Sequence, residues 1–307
     1  MRERTSGWKK SSGGIRRDTE LYLFLIPGLI FILLFDLLPM MKLTIAFKDF
    51  KPLLGLAKSK WVGLQNFKNL LGDSEVYNVI MNTLEINFLK LIFCIPLPMI
   101  LAIMVNEMRL LTLKKVIQTV IYIPHFFTMV VVYSVFYIVF GSGGLINYLI
   151  TRLGGEEIIF FMNGSWFRFL LVISDIWHMA GWGTIVYLAA IMGIDSEIYN
   201  AAVVDGANML QRILRITIPC LLPTMVLMFS IRIGRIMTDS FQQVLVFYNP
   251  TVYDSADIIS TYVYRKGIGQ ANFSYATAVG LFNSLIGFVM VVISNLMSRK
   301  ITGKSVW

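Results

Sequence analysis

Six stretches of about twenty mostly apolar residues constrain this chain more than anything else in it. They fall near residues 21–41, 83–105, 117–140, 167–193, 216–236 and 276–297. A helix rises about 1.5 Å per residue, so each stretch is long enough to cross the hydrocarbon layer of a membrane. Lipid offers no partner to an unpaired backbone group, which leaves helices or closed barrels as the only structures that span it. The fold class read from this pattern is all-α integral membrane, with six transmembrane helices. Composition agrees: 56% of residues are apolar and 15% charged, where soluble domains carry about 25% charged. A soluble nuclease, a disordered chain and a disulfide-stapled mini-protein are excluded. Cys94 and Cys220 lie in apolar stretches without CxxC spacing, so neither a disulfide nor a thiolate metal site is expected. With two histidines in 307 residues, no metal and no cofactor are expected either.

The first apolar run follows Arg16 and Arg17, as in a secretory signal, but no small-x-small cleavage site follows it. It is read as an uncleaved anchor. Six spans put both termini on one side. With the N-terminus inside, Lys and Arg number 14 on the inner side and 9 on the outer. The positive-inside bias therefore favours an N-in/C-in orientation, against the six basic residues of the first outer loop. In so apolar a chain the net charge of +9 sets orientation and meets lipid headgroups rather than nucleic acid. The organisation expected is a cytoplasmic N-tail (1–20), a six-span domain (21–297) with an inner loop at 194–215, and a cytoplasmic C-tail (298–307). The outer loops at 42–82 and 237–275 mix Gly, Pro, aromatic and charged residues and are expected to fold as caps.

The inner loop carries the most information. Asp195 or Ser196 is a fitting cap for a short helix running through Ala201 and Ala202, and Gly206 supplies the left-handed conformation that ends it. A second helix starts near Asn208 and enters the fifth span, interrupted near Pro219 and Pro223. The Ala201–Ala202 pair leaves little bulk, so another protein surface can come close. From spacing alone an ordinary surface loop is equally admissible.

The residues of this loop resemble the cytoplasmic motif of ABC-importer permeases: E-A-A, three residues, G, nine residues, I-x-L-P. Asn200, Ala201, Ala202 and Gly206 fit its first part, and Ile216 to Pro219 falls at the required distance. Asn200 stands where Glu is common and Ile218 where Leu is common. The missing carboxylate puts one docking contact in question. Other segments resemble the oligosaccharide branch of the same family, similar to permeases named for lipoprotein and aldouronate uptake. They are WVGLQNF at 61–67, YIPHF at 122–126, VISDIW at 172–177, GWG at 181–183, YNP at 248–250, TYVYR at 261–265 and FSYATAVGLF at 273–282.

The resemblance implies the ABC type I importer permease fold in a bacterial cell membrane. It further implies a heterodimer with a second homologous permease, two separate ATP-binding subunits, and an extracytoplasmic solute-binding protein or lipoprotein that delivers an oligosaccharide. The chain would then be a non-catalytic half-pore. Glu197, Asn200, Ala201, Ala202, Asp205, Gly206 and Pro219 would couple it to the ATPase.

Charges inside the spans are the remaining candidates. Arg232 and Arg235 are three apart on one helix, and both facing lipid would cost about 5–7 kcal/mol. Either they line the pathway and favour an anionic sugar, a uronate or sulfated unit, or an internal partner such as Asp175 or Asp239 holds them. Asp175, His178 and Trp182 in the fourth span either meet substrate hydroxyls and sugar faces or are packing residues. His125 follows Pro124 and is placed to satisfy carbonyls the proline frees. Glu85 and Lys90, five apart, are expected to pair locally or snorkel.

Two lookalikes fail. Gly303, Lys304 and Ser305 mimic the end of a phosphate-binding loop, but Ser298 stands where its first glycine belongs. Asp205–Gly206 begins a membrane phosphotransferase signature that Met209 and Leu210 do not continue. The rival readings are a membrane enzyme and a stand-alone carrier. An importer half co-purifies with a second permease and an ATPase and transports nothing alone.

Overall fold

The computed structural model describes residues 19–237 and 240–302. The tail before Thr19, the partner candidate Asp239 and the Gly303–Lys304–Ser305 lookalike lie outside the described residues. Six stretches are long and apolar enough to cross a membrane: Tyr22–Phe47, Ser74–Asn106, Met129–Arg152, Gly164–Met192, Met209–Gly234 and Phe273–Lys300. The helices used below are α1 (Thr19–Ile32), α2 (Ser74–Cys94), α3 (Pro96–Asn106), α4 (Leu111–Tyr122), α5 (Met129–Phe140), α6 (Leu145–Arg152), α7 (Gly164–Met192), α8 (Ser196–Val204), α9 (Ile218–Gly234), α10 (Phe241–Phe247), α11 (Ile259–Tyr264) and α12 (Phe273–Thr302).

The third span departs from the expected 117–140. Around Pro124 the chain passes through a 3-10 turn, Ile123–Phe126, which separates α4 from α5. Proline lacks the N–H of the helical ladder and its ring crowds the preceding turn, so one helix becomes two. The second span starts nine residues earlier than expected and bends where Ile95 and Pro96 join α2 to α3.

The long α7 forms the centre. In its span 56% of the most apolar window is buried, against none in Tyr22–Phe47. Asn163 caps it by accepting from the N–H groups of Ser165 and Trp166. Two glycines let neighbours approach: a Cβ on Gly181 would lie 2.3 Å from the Ile121 carbonyl oxygen, and one on Gly183 2.7 Å from Pro98. Helices in lipid lack a hydrophobic force toward one another, so small residues at crossings give the close packing that holds them.

Even span number puts α8 and both ends of the described chain on one face, here the loop face. The opposite, cap face is folded, as its composition suggested. A two-stranded antiparallel pair joins Lys48–Asp49 to Lys60–Trp61. The segment 240–264 returns as short helices that pack on α2, α5 and α7. An aromatic-rich core fills the cap half, with Phe136, Phe160, Phe167, Leu170 and Phe247 among its members. A smaller core toward the loop face joins Ala102, Ile103, Tyr187, Ile191 and Leu221.

Candidate functional site

The loop-face helix α8 is built as its sequence requires. Asp195 caps it, accepting from the Glu197 N–H at 2.9 Å. Gly206 ends it with φ +78°, a conformation in which a Cβ collides with the backbone. Asn208 and Gln211 then form a reciprocal capping box that starts the next helix. The interruption expected near Pro219 and Pro223 falls earlier, as a π-helical turn at Ile213–Thr217 that runs on into α9 and accommodates the missing N–H of Pro219, while Pro223 lies inside α9 without ending it. One side chain ties α8 down: the Tyr199 hydroxyl lies 2.9 Å from Thr217 Oγ1.

Everything else on α8 is presented outward. Glu197, Asn200, Ala201, Asp205, Gly206 and Pro219 are exposed and Ala202 is half-buried. Ile198, Val203 and Val204 are exposed too, Val204 to 87%. A small amphipathic helix that shows its apolar side chains and its alanines to solvent has the chemistry of a docking element.

The second concentration of chemistry lies within the membrane. Asp175 on α7 makes an ion pair with Arg232 of α9, and its other oxygen is 3.7 Å from Lys90 Nζ of α2. Lys90 is 1% exposed. It donates to Ser240 Oγ at 2.7 Å and to the Gln243 carbonyl oxygen of α10. Ser240 donates to Asn87, Gln243 to Ser174 and the Leu171 carbonyl, and the Cys94 thiol to Asp175. The network gathers α2, α7, α9 and α10 around one carboxylate.

These contacts divide the candidates that sequence placed together. Arg232 goes to Asp175, so the internal-partner reading holds for it in this conformation. Arg235 does not share its face, because α9 stops at Gly234 and Arg235 is the residue that caps its end. It is exposed beside a cavity of about 280 Å³ lined also by Ser230, Gly234, Ser294 and Asn295. The Ser230 and Ser294 hydroxyls there are buried without a hydrogen-bond partner.

His178 turns to the interruption after α4, its Nε2 3.0 Å from the Phe127 carbonyl. Trp182, half exposed, stacks on His125 with ring centroids 5.3 Å apart. Trp182 and His178 thus face the α4–α5 turn. The expected local pairing of Glu85 with Lys90 does not occur. Residues five apart on a helix point about 140° apart, and Glu85 instead pairs with Arg168 at 2.6 Å.

Sequence reasoning missed two arginine clamps on the cap face. Arg168 of α7 holds Glu85, the Asn82 side chain and the Ser255 carbonyl together. Arg265 reaches Asp257 at 2.5 Å and Glu75 at 2.6 Å, and its guanidinium lies over the Tyr253 and Tyr262 rings. Beside it Asp73 accepts from the Tyr275 and Tyr262 hydroxyls at 2.8 and 3.0 Å. Burial alone would raise the Asp73 carboxyl. The two phenols and the Glu75 N–H outweigh it and hold the group below the ordinary carboxylate value.

The arrangement offers an exposed helix on one face, a clamped cap on the other and a polar core between them. Known proteins share its fold. A family model described as binding-protein-dependent transport system inner membrane component matches residues 94–303. Protein LplB of Bacillus subtilis (strain 168) is 42% identical over 93% of this chain and 90% of its own. The polygalacturonan/rhamnogalacturonan transport system permease protein YteP of the same organism is 42% identical over 91% of this chain and 88% of its own. A chain in the crystal structure of a bacterial alginate ABC transporter, in complex with an alginate pentasaccharide-bound periplasmic protein, superposes with a TM-score of 0.89. That chain is 38% identical, over 97% of this chain and 100% of its own. The protein belongs to the binding-protein-dependent transport system inner membrane component family, as a multi-pass permease subunit of a cell-membrane ABC sugar transporter.

Proposed function

We propose that this chain is one of two permease chains of an ATP-driven importer that takes acidic oligosaccharides from an extracytoplasmic binding protein. In this reading the loop face is cytoplasmic, with N-in/C-in orientation, and α8 sits in a cleft of a separate ATPase subunit. Glu197, Asn200, Ala201, Ala202, Asp205, Gly206 and Pro219 form the coupling surface, and ATP hydrolysis belongs to the partner. The single observation that carries the coupling role is α8 itself, a capped helix with Ala201, Val203 and Val204 exposed and, among the described residues, a hydroxyl contact from Tyr199 to Thr217.

An acidic cargo is supported by two of the likenesses: one relative is named for polygalacturonan and rhamnogalacturonan, and one solved structure concerns import of the acidic polysaccharide alginate. The cavity beside Arg235 also presents the Ser230 and Ser294 hydroxyls, which have no hydrogen-bond partner among the described residues and are donors suited to a carboxylate. Asp175, Arg232, His178 and Trp182 complete the proposed pathway set but are not among the residues that line this cavity.

The test is reconstitution of the full assembly with its binding protein in proteoliposomes. Ala202→Glu should abolish ATP-dependent uptake and sugar-stimulated ATP turnover while leaving assembly intact; undiminished uptake refutes the coupling role. Arg235→Ala should lower uptake of a uronate oligosaccharide at least tenfold more than that of a neutral one. Equal loss for both refutes charge selection.

A further inference from the structure

Helix α8 is joined to α9 at two places, and only one of them is the chain itself. The Gly206 turn leads from the end of α8 through Ala207 and Asn208 toward α9. The second joint is the Tyr199 hydroxyl, 2.9 Å from Thr217 Oγ1. Tyr199 lies seven residues before Gly206, about 10 Å along the α8 axis. A single tether passes on a pull but lets a rod swivel. A second attachment that far away passes on a turning force as well.

Thr217 is 2% exposed, and it uses its hydroxyl unlike other helical threonines of this chain. Thr83, Thr119, Thr184 and Thr277 each donate to the carbonyl four residues back in their own helix, the habit of a threonine in such a place. Thr217 meets Tyr199 of α8 instead. It closes the π-helical turn Ile213–Thr217, in which the Ile213 carbonyl accepts from the N–H of Ile218. Single π turns are frequent at functional sites, and a helix kinks there more readily than along its regular part. One turn further on, Leu221 is sealed into the loop-face core with Tyr187 and Ile191. The pinned residue thus sits between an exposed helix and the buried anchor of α9.

We propose that Tyr199 is a positioning residue for transport: its bond to Thr217 makes α8 and the π turn move as one piece, so that displacement of α8 bends α9 at Ile213–Thr217 instead of swivelling α8 about Gly206. The inference rests on the coupling reading given above. It adds the contact that carries the load and the place where α9 yields. The hydroxyl lies apart from the docking surface, because Tyr199 is half-buried against its own chain while Asn200 and Ala201 are exposed.

The test uses the full assembly with its binding protein in proteoliposomes. Tyr199→Phe keeps the ring and removes the pin. It should lower the sugar taken up per ATP hydrolysed at least fivefold, with the ATPase retained on the permease and the unfolding midpoint unchanged. Thr217→Val should do the same, and Thr217→Ser, which keeps a hydroxyl, should recover most of what Thr217→Val loses. The double variant Tyr199→Phe, Thr217→Val should be no worse than either single one. Full coupling with Tyr199→Phe overturns the proposal, as does equal behaviour of Thr217→Ser and Thr217→Val. Loss of bound ATPase with Tyr199→Phe overturns it too, since the hydroxyl would then serve docking. Ala202→Glu separates the two readings. Where it abolishes uptake and Tyr199→Phe does not, coupling through α8 stands and the pin falls; where neither matters, the coupling reading falls and the pin with it.

Discussion

Replacing Asp175 by Asn removes one negative charge from the membrane core at almost constant volume. Asp175 lies 3.7 Å from the Lys90 ammonium, and at an effective dielectric of about 20 two unit charges at that separation attract by about 4.5 kcal/mol. Lys90 is 1% exposed, so it cannot recover that loss from water. Removing one member of such a buried pair costs about 3–5 kcal/mol, because the survivor is left uncompensated. Arg232 is better placed, with 18% of its side chain exposed, and has some access to solvent once released.

The expected loss for Asp175→Asn is therefore about 3–5 kcal/mol, set mainly by Lys90. Equilibrium unfolding in mixed detergent and SDS micelles measures it, and a cycle with Lys90→Met isolates the pair. The double variant should be more stable than the sum of the single losses predicts, by about 2 kcal/mol or more, since it removes the sealed-in ammonium together with its carboxylate and leaves only Arg232, which keeps some solvent contact. Additivity within about 0.5 kcal/mol would mean the two groups do not feel each other, and the account of the network would be wrong.

Three further expectations follow from local geometry. Gly206→Val forces a branched side chain into φ +78°, which should cost about 1–2 kcal/mol, fray the end of α8 and reduce uptake without reducing insertion; normal uptake would show the turn is dispensable. Gly181→Ala places a methyl 2.3 Å from the Ile121 carbonyl oxygen, a backbone atom that cannot rotate away. Overpacking of about 1–3 kcal/mol should appear as a lower unfolding midpoint, and an unchanged midpoint would refute the close crossing. The Asp73 carboxyl is held below its ordinary value, so its contribution to stability is present above the usual carboxylate range and is lost as pH falls through the lowered value. Hydrogen exchange in Gln65–Leu71 and α11 should therefore quicken in acid for the unaltered chain and stay flatter for Asp73→Asn.

The membrane architecture was legible because the bilayer imposes one demand on every span: an unbroken run of apolar residues that satisfies its own backbone. The loop helix was legible for a local reason, since Asp195, Gly206 and Asn208 each answer a backbone need within three residues. Pairings across the fold were legible only in part. Asp175 was one of two partners offered for Arg232, 57 positions away, and the pair forms. Lys90 meets Gln243 153 positions away, and nothing in its neighbourhood marks that partner. Reading Glu85 with Lys90 trusted proximity in sequence, although five residues turn a helix by about 140°. Splitting Arg232 from Arg235 required the end of α9 at Gly234, and no proline or cap announces that end. The one overlooked signal was Asp36, a charge inside the first apolar run; Lys90 was noticed, but its counterpart was sought in Glu85 rather than across the fold.

The ion network also bears on how a permease can change shape without exposing a bare charge. Asp175 has two cationic partners on different helices, Lys90 on α2 and Arg232 on α9. If the seating of α8 in the ATPase proposed above moves α9 during the cycle, the Arg232 pair can open while Lys90 stays in place, and the carboxylate is never left alone. The partners differ in the right sense: Lys90 is sealed in by Ser240 and Gln243, whereas Arg232 keeps some solvent contact at the end of α9. A carboxylate with one fixed and one releasable cation keeps a counter-charge in both arrangements, which lowers the cost of release that partner binding has to offset. Arg232→Met should then bias the chain toward the released arrangement and raise ATP turnover in the absence of sugar, while Lys90→Met should destabilise both arrangements alike. Equal basal turnover in the two variants would remove α9 from the switching element.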